Sequence, residues 1–376
     1  MRTLALLLVV AAPALAQDAG VPDVASVELL GGHVTFTGAA EVNYQWNFNR
    51  PADNVTALRG FDNRHNTFTV SNVVLGAAWD IKGVIGQVTL QVGHTPSTYY
   101  AAEPVVPGGL GTNLSGPELW KYVQQARVGY VIPVWRGLTV DAGIFLSPIG
   151  PESMLVKDNW NWSRSNLFYG LPYYHAGVRA SLPVSDRWTL LVAGFNGWND
   201  IVDNNAEKSV LVQATYALPE KLALTFQYFG GVERATGAPE GHAWRHMLDA
   251  YATWTALPRL AFIVQLNAGI EPNRFGLSHW QAAALSMRVT VFDWLFLAAR
   301  ADVFFEHVPT GASAIFWPAS FMSSQTLTID VRPHPNLSAR LEYRHDEAGG
   351  AVFSTVRGPL TSPRQNTLTL GVTSWF

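Results

Sequence analysis

Cysteine is absent from this 376-residue chain, and charged side chains are scarce. Without cysteine, the chain can form neither disulfide bridges nor thiolate metal sites. Charged residues make up 14% of the sequence, well below the roughly 25% usual for soluble domains. The net charge is −3, so the chain lacks the overall basic field of nucleic-acid-binding proteins. These absences exclude a disulfide scaffold and argue against a nucleic-acid partner.

Long apolar runs are missing beyond the N-terminus. Arg2 precedes an apolar run at 4–12, and residues 14–16 (ALA) have the small-x-small form of a signal-peptide cleavage site. The sequence therefore predicts a secretory signal peptide at 1–16 and a short N-terminal segment at 17–32. No later segment reaches about 18 consecutive apolar residues, the length expected of a transmembrane helix, although 48% of the residues are hydrophobic.

What the sequence does contain is an alternation of apolar and polar residues with a period of two. In the first stretch, Phe36, Val42 and Tyr44 share one face, whereas Thr37 and Glu41 share the other. This pattern predicts an all-β fold, a transmembrane antiparallel β-barrel of about sixteen strands that occupies residues 33–376. The predicted strands are 33–45, 66–78, 84–93, 119–131, 138–146, 173–182, 187–196, 207–218, 221–230, 245–256, 259–270, 279–291, 294–304, 322–331, 336–345 and 366–376.

The connections between these strands alternate in length, which supports a barrel. The short ones contain proline or aspartate and are typical of periplasmic turns, and the long ones are typical of extracellular loops. The long connections are 46–65, 94–118, 147–172, 197–206, 231–244, 271–278, 305–321 and 346–365. Aromatic residues near both kinds of connection predict two girdles at the membrane interfaces; Trp135, Trp254, Tyr343 and Trp280 are among them.

The chain ends within a strand, on the sequence TLTLGVTSWF. Closing a barrel pairs every backbone N–H and C=O group, as the hydrocarbon layer requires, so we expect this strand to pair with the first. The terminus resembles the C-terminal sorting signal of bacterial outer-membrane barrels, although Ser374 stands where an aromatic residue is commoner. That resemblance predicts that Phe376 is an assembly signal and that the outer-membrane assembly machinery is a partner.

Several polar and aromatic stretches carry a family resemblance. They are FDNRHNTF (61–68), YVQQARVGYV (122–131), IGPE (149–152), NWNWSRSNLFYGLPYYHAGVR (159–179) and NGWNDIVDNNAEKS (196–209). Together they resemble the OmpL-like β-barrel porin family, and this resemblance implies an outer-membrane channel. The positions that match it are Glu152, Ser163, Arg164, Ser165, Pro172, His175, Gly177, Asn196, Gly197, Trp198, Asn204, Asn205 and Lys208.

The third long loop, 147–172, is rich in Trp, Asn and Ser and carries charges of both signs. Its charged residues are Glu152, Lys157, Asp158 and Arg164. If the loop folds into the barrel, it constricts the lumen, and these charges set a transverse field across the constriction. The alternative is an external loop held down by its aromatic residues. The sequence leaves both interpretations open.

The polar faces of the strands predict which residues line the pore. The two charge signs balance, six against six, whereas rings of a single sign select ions. Two interpretations remain open, an ion-pair lattice that stabilises the wall and a polar track that guides solutes. The predicted pore-lining residues are Glu41, Arg127, Asp141, Arg179, Asp249, Arg288, Arg300, Asp302, Asp330, Arg340, Glu342 and Arg344.

Other chemistry is weakly supported. The Asn/Asp-rich stretch 199–205 supplies oxygen ligands of the kind calcium prefers, but its spacing lacks the EF-hand pattern and such clusters usually form turns. His65, His175, His242, His246, Ser163 and Asp249 could meet in an active site, yet no GxSxG, HExxH or paired-carboxylate motif is present. The sequence therefore predicts no enzyme, no cofactor and no metal site.

The predicted function is that of a porin in the bacterial outer membrane. A sixteen-stranded barrel is too wide for side chains to fill, so an aqueous channel is expected, through which small hydrophilic solutes diffuse passively. Outer-membrane lipid is then a partner, and a homo-oligomer is left open. The alternative is a substrate-selective channel for oligosaccharides or anions, which uses arginines and aromatic residues as a track. An outer-membrane enzyme or an adhesin on a filled barrel is the remaining class.

Overall fold

The strands close into a cylinder. The computed structural model describes residues 25–106 and 114–376. Within these residues, sixteen long antiparallel strands pair in sequence order, and the last pairs with the first. The short strand β1 (Ser26–Leu29) precedes them. The wall strands are β2 (Gly32–Asn47), β3 (Thr67–Ile81), β4 (Val84–Val92), β5 (Val123–Ile132), β6 (Leu138–Leu146), β7 (Tyr174–Pro183), β8 (Trp188–Phe195), β9 (Ser209–Leu218), β10 (Leu222–Val232), β11 (Trp244–Leu257), β12 (Leu260–Asn273), β13 (Gly276–Phe292), β14 (Leu295–His307), β15 (Phe321–His334), β16 (Leu337–Ala348) and β19 (Arg364–Trp375).

The closure involves the C-terminal residue itself. Strand β19 pairs with β2, with Leu370 opposite Tyr44. Beyond the strand, the Phe376 N–H donates to the Gly38 carbonyl at 3.0 Å, and the Gly38 N–H donates to the Phe376 carbonyl at 3.2 Å. On the N-terminal side of Gly38, β2 pairs with β1 instead, and Leu29 lies opposite Gly32. The predicted pairing of the last strand with the first is therefore confirmed.

The sixteen predicted strands are confirmed, each to within four residues at either end. The largest shift is in β5, predicted to begin at 119, because residues Pro117–Trp120 form the short helix α2 with proline in its first turn. Two further short helices lie in long connections, α1 (His94–Tyr99) and α3 (Asn166–Tyr169). The connection after β16 contains the hairpin β17 (Phe353–Thr355) and β18 (Gly358–Ser362). None of the described helices is long and apolar enough to cross a membrane.

Each wall strand presents an apolar face outward and a largely polar face inward. Leu75, Leu266 and Leu327 are about 60% exposed on the outer surface, whereas Glu342 and Thr328 are buried inside. The prediction that Trp280 belongs to an outer girdle is wrong. Its side chain points inward with Ser278 and Ala282, because alternate residues share a face, and its indole Nε1–H donates to Asn267 Oδ1 at 2.7 Å.

Side chains and loops fill much of the barrel at its long-loop end. A hydrophobic core there joins inward-facing wall residues such as Phe195 and Phe304 to loop residues such as Leu167, Trp317 and Phe353. A second cluster packs Phe61 and Phe168 around Tyr99 and Tyr100, at the end of α1, and Tyr174, the first residue of β7. The expectation that a sixteen-stranded interior stays unfilled is therefore wrong for this half of the lumen, since the long loops turn inward and bring their own apolar side chains.

Candidate functional site

The loop at residues 147–172, here the inner loop, folds into the barrel and binds the wall. Carboxylates on the wall accept hydrogen bonds from its backbone. Glu41 accepts from the Val156 N–H at 2.6 Å. Glu342 accepts from two successive N–H groups, those of Trp162 at 2.6 Å and Ser163 at 2.9 Å. The interpretation of 147–172 as an external loop is therefore wrong.

Arginines on the wall bind the carbonyl groups of the inner loop. Arg340 Nη1 donates to the Val156 carbonyl at 2.9 Å, and Arg300 Nη1 donates to the Ser163 carbonyl at 2.6 Å. Arg344 donates to the carbonyl of Arg164. Since hydrogen bonds that involve an ionised group are about twice as strong as neutral ones, these contacts hold the inner loop firmly in the lumen.

The four charged residues of the inner loop differ in their surroundings. Glu152 forms a salt bridge with Arg300 at 2.9 Å. Arg164 turns back on its own loop and donates to the Trp162 carbonyl at 2.9 Å. Lys157 and Asp158 pair with each other at 2.7 Å, and their side chains keep 29% and 45% of their exposure. Of these four residues, Lys157 and Asp158 are the ones most open to water.

Ion pairs along the wall run beside these contacts. Arg344 Nη2 lies 2.6 Å from Asp346 Oδ1, and Arg340 Nε lies 3.2 Å from Asp330 Oδ2. On β14, Arg300 lies 3.5 Å from Asp302, whose other contacts include the Asn166 N–H at 3.1 Å. The same side chains thus pair with each other and bind the inner loop, so the lattice interpretation describes this sector of the wall.

A separate charge cluster lies on β5, β6 and β7. Asp141 receives hydrogen bonds from two arginines, from Arg127 Nη1 at 2.7 Å and from Arg179 Nε at 2.8 Å. Arg127 also donates from Nη2 to Gln87 Oε1 at 2.9 Å. Both arginine side chains retain some exposure, 13% and 10%. Two guanidinium groups therefore share one carboxylate on the lumen face.

The two remaining predicted pore-lining residues are Asp249 and Arg288. Asp249 accepts from Gln227 Nε2 at 2.8 Å, Gln265 Nε2 at 2.7 Å and Asn267 Nδ2 at 2.9 Å. The guanidinium of Arg288 lies 5.3 Å from the ring of Trp160, on the inner loop, and 5.1 Å from that of Phe296. A small cavity of about 20 Å³ lies nearby and is lined by Asp158, Trp160, Ile263 and Ser286 among others.

The structure also brings in charged residues that the sequence interpretation did not single out. Glu306 on β14 accepts hydrogen bonds from the backbone N–H groups of Ile315 at 2.6 Å and Trp317 at 3.0 Å. Asp346 and Glu306 could have been found, because each lies an even number of residues from a predicted pore-lining residue and therefore shares its face. Others include Arg59, Asp62, Arg245, Glu271 and Arg332.

The residues considered for catalysis bind partners other than one another. His175 is buried, with Nδ1 3.0 Å from the Gly197 carbonyl. His246 contacts the hydroxyl of Tyr228 at 2.8 Å, and His242 faces Glu207. The three side chains thus have separate partners. The structure brings Ser163 to arginines of the wall rather than to a histidine.

Buried carboxyl groups anchor the stretch from 197 to 206, which lies outside the wall strands. Glu103 accepts from the N–H groups of Ile201 at 3.1 Å and Val202 at 3.2 Å, and Glu233 accepts from the Trp198 N–H at 2.7 Å. Burial, and then the nearby charges of Glu233 and Glu103, raise the pKa of the Asp200 carboxyl to about 8.

The oxygen-rich residues of this stretch bind the protein itself. Asn199 Oδ1 accepts from the Tyr173 N–H at 2.6 Å, and Asn205 Nδ2 donates to the Val232 carbonyl at 2.9 Å. Asp203 pairs with Lys208. These contacts are those of a folded loop, as the turn interpretation expects.

Solved structures with the same architecture are outer-membrane proteins. In-vitro folded OmpT of Vibrio cholerae in its trimer form is 11% identical and has a TM-score of 0.61, and the match covers 92% of this chain and 99% of that one. The anion-selective porin from Comamonas acidovorans is 12% identical, with a TM-score of 0.60 and coverage of 92% and 100%. Salmonella typhi OmpF, in a complex with daunomycin, is 11% identical, with a TM-score of 0.59 and coverage of 93% and 100%.

The barrel also matches a family model. No curated protein sequence matches the chain. The model described as "Putative beta-barrel porin-2, OmpL-like" spans residues 33–376, from the first residues of β2 to the last residue of the chain. The closed sixteen-stranded barrel, its apolar outer surface and its charged inner face all agree with that match. The chain therefore belongs to this family of β-barrel porins of the bacterial outer membrane.

Proposed function

We propose that this porin is a passive channel for small hydrophilic solutes, and that the inner loop sets the width of its narrowest part. The observation that carries the proposal is the attachment of the inner loop to the wall, through Glu41, Glu342, Arg300 and Arg340. A loop held across the lumen leaves a path only beside it. The side chains of Lys157 and Asp158 face water there, so a permeating solute meets charges of both signs.

The test is single-channel recording in planar bilayers with the purified mature protein. A passive channel gives stepwise conductance that rises with salt concentration, and small neutral sugars cross reconstituted vesicles in order of size. We expect a small conductance for a sixteen-stranded barrel, because the long-loop half of the lumen is filled. Channels that never open at any salt concentration or voltage would refute the proposal.

A substrate-selective channel is the second candidate, and one observation favours it. Trp160 lies over Arg288 beside the most exposed charges of the inner loop, and an aromatic ring next to a cation is a surface that sugars and anions both bind. Such a channel shows saturable block by its substrate. A general pore shows a conductance that falls only with solute size.

Three further expectations remain proposals. We infer that outer-membrane lipid surrounds the apolar outer wall, that copies of the chain associate in the membrane, and that the assembly machinery reads the C-terminal strand. The trimer form of Vibrio cholerae OmpT has the same fold, which makes association worth testing by cross-linking in native membranes. The absence of enzymatic activity also stays a prediction, to be checked with general esterase and protease substrates.

A further inference from the structure

We propose that Arg127, Arg179 and Ser181 form a binding site for an oxyanion group, the phosphate or carboxylate of a permeating solute, on the lumen wall near the short-turn end. The inference rests on the proposed channel function and names a class of solute for it. Three observations carry it: the net positive charge of the cluster, an unused guanidinium donor on Arg179, and a buried hydroxyl without a hydrogen-bond partner among the described residues.

The charges of the cluster do not balance. Within residues 25–106 and 114–376, Asp141 is the one carboxylate bound by Arg127 and Arg179, so the three side chains carry one net positive charge. Asp80 is the one carboxylate of β3, and one of its oxygens accepts from the Gly83 N–H at 3.1 Å in the adjoining turn. Other arginines also share a carboxylate, since Arg332 and Arg340 both pair with Asp330. Arg340 differs from Arg179 because it also donates to a carbonyl group of the inner loop.

The guanidinium group of Arg179 keeps a donor that Asp141 does not use. Arg179 donates to Asp141 from Nε at 2.8 Å and Nη2 at 3.0 Å, and its Nη1 makes no hydrogen bond to the described residues. Its planar group lies 4.3 Å from the Phe145 ring, which fixes its orientation. A planar fork of donors held in one orientation suits the two oxygens of a phosphate or carboxylate.

The third observation is Ser181. Its side chain is 7% exposed, and its hydroxyl has no hydrogen-bond partner in the part of the chain that the structure describes. It lies on the same face of β7 as Arg179, two residues along, which is roughly 7 Å in a strand. Buried hydroxyl groups are nearly always hydrogen-bonded. A bound oxyanion that bridges Arg179 and Ser181 would give this hydroxyl an acceptor.

Planar-bilayer recording in potassium chloride gradients tests the site. We expect inorganic phosphate on the short-turn side to reduce wild-type conductance in a saturable way, and acetate to do so more weakly. In Arg127→Gln/Asp141→Asn/Arg179→Gln the block should vanish, and the chloride-to-potassium permeability ratio should fall roughly 25-fold, because one unit charge at about 4 Å through water changes the local concentration of each ion about fivefold, in opposite directions. This triple variant leaves no unpaired buried charge and is therefore expected to fold. Asp141→Asn alone should raise the ratio.

The matched control is Arg136→Gln, which removes one arginine from an exposed turn where it pairs with Asp186. Its block and permeability ratio should equal those of the wild type. If the triple variant conducts with unchanged block and ratio, the oxyanion site is refuted while the channel stands. If the wild type does not conduct, the channel proposal fails, and calorimetric titration of phosphate into detergent-solubilised protein decides the site. Equal heats in the wild type and the triple variant would then overturn it.

Discussion

Trp162 of the inner loop lies against Gly371 of β19, so close that a Cβ atom at position 371 would be 2.3 Å from the indole ring. Non-bonded carbon atoms normally stay about 3.5–4.0 Å apart. The absence of a side chain at Gly371 is therefore what lets the tip of the inner loop reach the wall, where Glu342 binds its backbone.

Gly371→Ala should push Trp162 off the wall and loosen the inner loop. We expect the free energy of unfolding to fall by about 1–3 kcal/mol, the usual cost of overpacking, and open-channel current noise to rise. Gly194→Ala is the control, because among the described residues only its own chain neighbours come within 4 Å of the added Cβ. Unfolding in detergent and single-channel recording measure both effects. If Gly371→Ala and Gly194→Ala have the same free energy of unfolding and the same current noise, the contact between Trp162 and position 371 does not hold the loop.

Glu342→Gln should weaken the attachment of the inner loop. The amide keeps one acceptor for the N–H groups of Trp162 and Ser163 but loses the charge, and we expect a loss of about 1–3 kcal/mol in the free energy of unfolding. Limited proteolysis of the folded barrel should then cut within 147–172.

The control for that variant is Glu347→Gln, which removes a carboxylate paired with Arg364 on the surface. Exposed pairs contribute little, so its unfolding should change by less than about 1 kcal/mol. Equal protease resistance of the two variants would show that Glu342 does not hold the loop.

The stability of the stretch 197–206 should depend on pH. Because burial and nearby carboxylates raise the pKa of Asp200 to about 8, this group stays protonated in the folded loop at neutral pH, whereas it ionises at roughly pH 3.9 when unfolded. The folded loop therefore loses stability as the pH rises from about 4 to about 8, and no further above that.

Asp200→Asn removes this titration. Hydrogen exchange of 197–206, compared with the wild type at each pH, should show the variant increasingly better protected up to about pH 8. Asp186→Asn, in an exposed turn, should follow the wild type. A constant difference between Asp200→Asn and the wild type across this range would count against the assignment.

Phe376→Ala distinguishes two roles of the last residue, closure of the barrel and recognition by the assembly machinery. The ring of Phe376 would lie 2.3 Å from a Cβ atom at Gly38, so it packs on the backbone of β2, and it is also 58% exposed to the membrane. If the assembly machinery reads this ring, Phe376→Ala should fold as well as the wild type in detergent but assemble less in cells, measured as heat-modifiable mobility on gels.

The control is Phe292→Ala, another exposed aromatic residue near a short turn. It should assemble normally. Poor folding of Phe376→Ala in both settings would mean that the ring serves closure only, and normal assembly in cells would refute the signal.

The wall was predictable because a strand in a membrane obeys a local rule. Alternation in sequences such as Arg340, Leu341 and Glu342 fixes which side chains face inward, and the short turns fix the ends. The sequence pattern did not predict the helix α2 or the register shift at Glu41 and Val42. A bulge or a single helical turn changes the alternation over too few residues.

The interior was less predictable, because its contacts join distant parts of the chain. Glu342 and Trp162 are 180 residues apart, and no periodicity links an acidic residue on a strand to a backbone N–H in a loop. The many Trp, Asn and Ser residues at 147–172 indicated that this loop has a structural or functional role. It could not show the direction in which the loop folds, since the same residues suit an external surface.

The side chains of the wall bind the inner loop mostly through its backbone groups, so the sequence of the loop can vary in evolution and in engineered variants. The amides of Val156, Trp162 and Ser163 are present whatever side chains surround them, so the tether survives changes at the exposed Lys157 and Asp158. In the proposed channel, one or two substitutions can thus change the charge at the narrowest part while the attachment of the inner loop remains intact. Relatives that differ at these two positions would have the same barrel and inner loop and yet admit different solutes.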